Sequence, residues 1–151
     1  MATVKLEGFK ELERELERLS KAAGKGVLRR SLKKAAMPMK DTMHDLAPRG
    51  DTASDDLADS ISIGTKLSKR QAGLHRKMFR DDRAAVEMFV GAGPDPASWT
   101  QEFGTINHGA QPFARPAWDA EAQPTLGRLG RILWDEFEKS LKRANAKAAR
   151  G

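Results

Sequence analysis

Three histidines, His44, His75 and His108, are the side chains best suited to proton transfer or metal binding near neutral pH, and they fall in three separate segments. Asp41 and Asp45 lie close to His44, but no second histidine stands one helical turn away to complete a chelating pair. The chain has no phosphate-cradling P-loop, no His-Glu-x-x-His pair and no Gly-x-Ser-x-Gly elbow. The histidines therefore read as surface or capping residues. No catalytic set, no cofactor site and no metal site is expected. Arg49-Gly50-Asp51 spells an adhesion tripeptide, but it reads as the turn that ends a helix.

Charge is the stronger chemical signal. Lys and Arg number 27 against 21 Asp and Glu, for a formal net charge of +6. The excess is clustered. Lys25, Arg29, Arg30, Lys33, Lys34 and Lys40 follow one another with no acid between them. A second patch holds Lys66, Lys69, Arg70, Arg76, Lys77, Arg80 and Arg83 against Asp81 and Asp82 alone. Either patch suits phosphate or an acidic protein surface. Neither interleaves aromatics for stacking on bases, so DNA contact, where it occurs, is expected to be nonspecific. The 66–83 stretch reads as a loop or long hairpin projecting from the sheet, because so many cations resist burial. An acidic protein surface is its favoured destination over DNA, since such a partner gives electrostatic steering and orientation during docking.

The elements that must carry these residues follow from composition and periodicity. A chain of 151 residues, 39% hydrophobic and 32% charged, suits one domain with a thin core. The absence of cysteine excludes a disulfide framework and thiolate metal sites. No apolar run approaches a membrane span, and no apolar leader is visible, so a soluble protein made in a reducing cytoplasm is expected. Residues 3–6 suggest a short strand. Leu6, Phe9, Leu12, Leu16 and Leu19 then line one helical face, with Gly24 and Gly26 as its stop. A second helix from Val27 carries Leu28, Leu32, Ala35, Met39, Met43 and Leu46, with Pro38 as a kink.

Residues 51–59 read as a polar loop with one helical turn, 60–63 as a half-buried strand and 84–90 as the best strand in the chain. Residues 94–116, rich in Gly and Pro, carry Trp99, Phe103 and Phe113 and read as a loop that packs on something. Arg115-Pro116 starts a last helix with proline in its first turn. Pro124 marks a kink or restart, and the apolar spacing ends near Ala144. The expectation is an α+β fold: N-terminal helices, a small antiparallel sheet with an extended basic loop or hairpin, and a long C-terminal helix. Residues 1–145 would form a single domain and 146–151 a flexible basic tail.

Two motifs carry a family resemblance. Glu102-Phe103-Gly104-Thr105, followed by Gln111-Pro112-Phe113-Ala114-Arg115-Pro116-Ala117-Trp118, resembles the head–tail joining and tail-completion (neck) proteins of tailed bacteriophages. Leu6-Glu7-Gly8-Phe9, Ala47-Pro48, the loop with Thr52 and Leu57, Ser60-Ile61 and Val90-Gly91 fall in the matching order over most of residues 3–145. Thr52-Ala53 departs from the Thr-Gly usual there, and the 66–83 stretch is longer and more basic than usual.

The resemblance implies a non-enzymatic virion protein, assembled in the host cytoplasm, that forms a cyclic homo-oligomer, sixfold in expectation, at the head–tail junction. Its partners would be copies of itself, the adjoining head-closure or connector and tail-tube proteins, and packaged DNA by nonspecific contact, with no membrane. The expected interface comprises Trp99, Glu102, Phe103, Gly104, Thr105, Pro112, Phe113, Arg115, Pro116 and Trp118. Phe103 and Phe113 would be its anchors, Gly104 would permit a tight turn, and Pro112 and Pro116 would stiffen the segment. The alternative is a small basic, nonspecific DNA-binding protein.

Overall fold

A computed structural model describes residues 10, 14, 17, 21–49, 56–80, 86–93 and 96–151. The expected strand at 3–6 and nearly all of the first helix lie outside the described residues, although Lys10, Arg14 and Glu17 are helical and exposed. In chain order the elements are α1 (Lys21–Leu46), α2 (Asp56–Ser60), β1 (Ser62–Gly64), α3 (Lys69–Met78), β2 (Phe89–Gly91), α4 (Pro96–Phe103) and α5 (Ala114–Arg150). The chain is therefore α+β, with N-terminal helices, a two-stranded antiparallel sheet and a long C-terminal helix. Strands β1 and β2 pair Ser62 with Gly91, Ile63 with Val90 and Gly64 with Phe89. The described residues group into two compact units, one within 1–35 and 126–151 and the other within 36–125. Helices α1 and α5 each contribute a stretch to both.

Helix α1 runs through Gly24 and Gly26, where a stop was expected. Each glycine costs a helix about 1 kcal/mol relative to alanine, and burial of Val27 and Ala35 along one face sets against that cost. The buried stripe is offset from the expected one. Val27, Ser31, Ala35, Ala36, Met39, Met43 and Ala47 are buried, whereas Leu46 is exposed. Pro38 sits inside the helix, which continues past it to Leu46.

Several other expectations need correction. Residues 69–78 of the basic stretch are helical, not loop or hairpin, because Ser68 and Gln71 close a reciprocal capping box at its start. Residues 96–103 of the aromatic loop are also helical. The first strand begins at Ser62, because Ser60 ends α2: its Oγ donates to the Leu57 carbonyl at 2.7 Å and accepts from the Gly93 N–H at 3.1 Å. The second strand is confined to Phe89–Gly91, with 86–88 irregular and 84–85 outside the described residues. Helix α5 is unbroken at Pro124 and continues beyond Ala144 to Arg150.

In the unit within 36–125, Met43, Ala47, Leu57, Ala58, Ile61, Phe113 and Ala117 form the core, with Val90, Ala92 and Ala114 packed against it. In the other unit, Val27, Leu133 and Phe137 form a smaller core flanked by Leu28, Leu129 and Trp134, the Trp134 ring standing edge-on to Phe137. Glu136 is buried beside that core, its side chain only 3% exposed. It accepts from Arg30 Nε at 3.0 Å and is paired with Lys34, with Lys139 at 4.0 Å. Two cations of the α1 basic run thus neutralise a buried acid.

Hydrogen bonds from Lys34 and Arg30 hold the Glu136 carboxyl at a pKa of about 2, against the opposing effect of burial. A depressed carboxylate stabilises the fold fully above its unfolded pKa, and that contribution fades as pH falls toward the folded value. Glu136→Gln should therefore cost about 2 kcal/mol at pH 7 and much less at pH 2.5. Urea melts of both proteins at the two pH values check this; an equal gap at both would refute the ion-pair origin.

Candidate interaction site

Helix α4 ends at a glycine that no other residue replaces easily. Gly104 has φ +76°, the left-handed conformation that closes a helix, and its N–H donates to the Thr100 carbonyl at 2.8 Å. A Cβ there would lie 2.9 Å from the Ala110 nitrogen and 3.0 Å from the His108 carbonyl oxygen. The chain then doubles back. Thr105 N–H donates to the His108 carbonyl at 2.8 Å, and Gln111 N–H to the Gln101 carbonyl at 2.7 Å. That return brings the start of α5 over the end of α4.

Glu102, itself buried, receives it. Its Oε2 accepts from the N–H groups of Phe113 at 2.8 Å and Ala114 at 2.9 Å. Its Oε1 accepts from the Arg115 N–H at 3.1 Å and from Arg115 Nε at 2.8 Å. Arg115 Nη2 donates in turn to the Glu102 carbonyl at 2.8 Å. Residue 116 is proline and has no N–H, and the Ala117 N–H makes a backbone bond to Phe113 at 3.4 Å. Every donor of the first turn of α5 is thereby accounted for, and a carboxylate stands at the positive end of the helix dipole. Burial raises the Glu102 pKa, but the bonds from Ala114, Phe113 and Arg115 outweigh it, leaving the carboxyl below its ordinary value.

This clamp divides the expected anchors. Phe113 is only 3% exposed and fills the core of its own unit, whereas Phe103 is on the surface. Trp99, one turn before Phe103, stacks on it at 5.0 Å between ring centroids. The Arg115 guanidinium covers the Phe103 ring at 4.8 Å. Trp118 follows Arg115 by three residues on the same helical face and is 61% exposed. Ile106 stands at the tip of the returning loop, wholly exposed. Gly104 and Pro116 are half-buried, and Thr105 and Pro112 are exposed.

The basic stretch is a separate feature. Lys69, Arg70, Arg76 and Lys77 project from α3, Lys66 precedes it and Arg80 follows it, all exposed; Arg83 lies outside the described residues. His75, on the other side of α3, packs edge-on against Phe89 at 5.3 Å and against Phe79 at 4.8 Å, with Glu87 at 3.7 Å. His44 stands 3.6 Å from Asp45 and 3.7 Å from Asp59, and His108 is in the returning loop. Among the described residues, no group of three or more metal-ligating side chains is placed to hold an ion, and no helix is long and apolar enough to cross a membrane.

The family resemblance singled out Glu102 and Arg115 but not their mutual bond, whose signal is an acid at the end of one helix facing Phe-Ala-Arg-Pro at the start of another. Glu136 was missed, since a lone acid in a charged helix carries no sign of burial.

The described residues thus form a small α+β protein with aromatic side chains on its surface beside a buried carboxylate clamp. Residues 10–104 match the family described as "Bacteriophage HK97-gp10, putative tail-component", and the chain belongs to this HK97-gp10-like family. It is thus a structural tail component of a bacteriophage, a class not normally enzymatic, and its place is the virion. The match takes in Glu102, Phe103 and Gly104 and ends before the Phe113–Trp118 segment. No curated protein and no solved structure matches the chain.

Glu102→Ala strands the N–H groups of Phe113 and Ala114 and should cost on the order of 3 kcal/mol; Gly104→Ala should cost about 2 kcal/mol through its backbone conformation. Chemical denaturation measures both, and a loss under 0.5 kcal/mol for Glu102→Ala would mean that the clamp is dispensable.

Proposed function

We propose that this tail component forms a cyclic ring, sixfold in symmetry, at the head–tail junction, completing the tail so that it joins the capsid connector. The observation that carries this reading is the exposure of Trp99, Phe103 and Trp118, with Phe103 stacked on Trp99 and covered by Arg115 of the Glu102 clamp. Large apolar side chains in water are favourable only when something covers them, and aromatic and arginine side chains dominate the energetics of such contacts. A rigid mount lowers the entropy lost on docking. Copies of the chain and the adjoining connector and tail-tube proteins are the proposed neighbours. The family match supports a place in the tail, and the resemblance carried by the Glu102–Trp118 motifs supports the junction.

The alternative, a small nonspecific DNA-binding protein, draws on the exposed cations of α3. That helix offers no aromatic on its basic face for base stacking, so it gives the alternative affinity without readout.

The triple variant Trp99→Ser, Phe103→Ser, Trp118→Ser should fold, because all three side chains are exposed, yet leave full heads and separate tails that fail to join. Phe113→Ser should instead destabilise the subunit by about 3–5 kcal/mol. Counting joined particles by electron microscopy after complementation with each variant tests the reading. Normal numbers of infectious particles from the triple variant, or a neck reconstruction without this chain, would overturn it.

A further inference from the structure

Helix α3 has a face whose pattern fits one kind of partner. At about 100° per residue, Lys69, Arg70, Arg76 and Lys77 fall within an arc of roughly 120°. Gly73 stands at the middle of that arc, and nothing lies within 4 Å of the position its Cβ would take. The cations thus form two pairs, about 10 Å apart along the axis, on either side of an open notch. None of the four makes an ion pair with a described residue. The opposite side of the helix is occupied by His75, which packs on Phe89, so the basic face is turned away from the sheet.

Phosphate alone accounts for the cations but not for what borders them. Leu74 and Met78, one turn apart, lie beside Arg70 and Lys77 and are 50% and 77% exposed. A duplex backbone binding the basic arc gains from each neutralised phosphate and leaves both apolar side chains in water. A protein segment with carboxylates flanking an apolar row uses all six side chains. The carboxylates pair with the two cation pairs, the row covers Leu74 and Met78, and a side chain can enter the notch at Gly73.

We propose that the α3 face docks an acidic amphipathic helix of another protein. The contact does not depend on the aromatic surface or on ring formation, and it stands or falls separately. The charges steer the encounter and set orientation, while Leu74 and Met78 give contact area.

The test uses the full chain and three fluorescent probes: an 18-residue helical peptide of Glu and Leu with Leu at helical spacing, the same peptide with Gln in place of Leu, and a 20-base-pair DNA duplex. Anisotropy titrations over a range of salt should show the Glu/Leu peptide binding about tenfold or more tighter than the Glu/Gln peptide. Arg70→Ser with Lys77→Ser should weaken it at least tenfold and flatten its salt dependence. Leu74→Ser with Met78→Ser should weaken the Glu/Leu peptide alone. Gly73→Glu fills the notch with a like charge while improving helix propensity, so it should abolish binding without a loss of thermal stability. Binding of neither peptide would overturn the proposal. So would a duplex that binds more tightly than the Glu/Leu peptide and ignores Leu74 and Met78, which assigns the face to phosphate. Self-association of the wild type that Gly73→Glu abolishes would assign it to a second copy of the chain.

Discussion

The carboxylate of Glu102 does for α5 what a short capping side chain does for most helices, but from a different element. A serine or aspartate at a helix start reaches only its own turn. Glu102, at the end of α4, accepts from three consecutive backbone N–H groups and a guanidinium. Those bonds fix where α5 begins, and hence where Phe113 and Ala117 enter the core with Met43, Leu57 and Ile61. They fix Arg115 over Phe103 as well. Core and surface on this unit share one buried charge.

A buried carboxylate is tolerated only when its lone pairs are fully used. Each of the two glutamates buried among the described residues solves that differently. Glu136 is met by the long side chains of Arg30 and Lys34, whose stems reach from α1 while their heads remain partly in water. Glu102 is met mainly by backbone, which is prepositioned and loses no side-chain entropy. Gly104 makes that geometry attainable, because its positive φ turns the chain back where a Cβ would strike Ala110. The Pro at 116 completes it, since it presents no N–H for which a partner must be found.

Much of this was legible in residue order, and the parts that were not have physical reasons. The class of fold and the long last helix followed from periodicity and turn chemistry, whereas the 102–105 and 112–118 motifs stood out through the family resemblance. Helix α3 was hidden by its charge: cations at 69, 70, 76 and 77 suggest solvated coil, although Ser68-x-x-Gln71 marks a helix start on its own. Gly24, Gly26 and Pro124 suggested breaks, yet local propensity yields to burial on either side. The short strands 62–64 and 89–91 lack enough residues for an alternating pattern to define their ends. Phe103 and Phe113 look equivalent in sequence. Only the reversal of the chain at Gly104 sends one outward and the other in.

That reversal also explains why an exposed aromatic surface is compatible with a thin core. Three large rings left in water would ordinarily favour collapse onto any available apolar face. Here Trp99 and Phe103 are stacked on each other, and Arg115, which could cap the rings as a mobile side chain, is held by Glu102 at two points. The cost of ordering these side chains is met during folding, by bonds the fold needs anyway. A neighbour of the kind proposed, covering the rings, would meet a surface already set, so little of its contact energy would be lost to rearrangement. If the same contact has to form in every particle, such preorganisation would matter more than the total area buried.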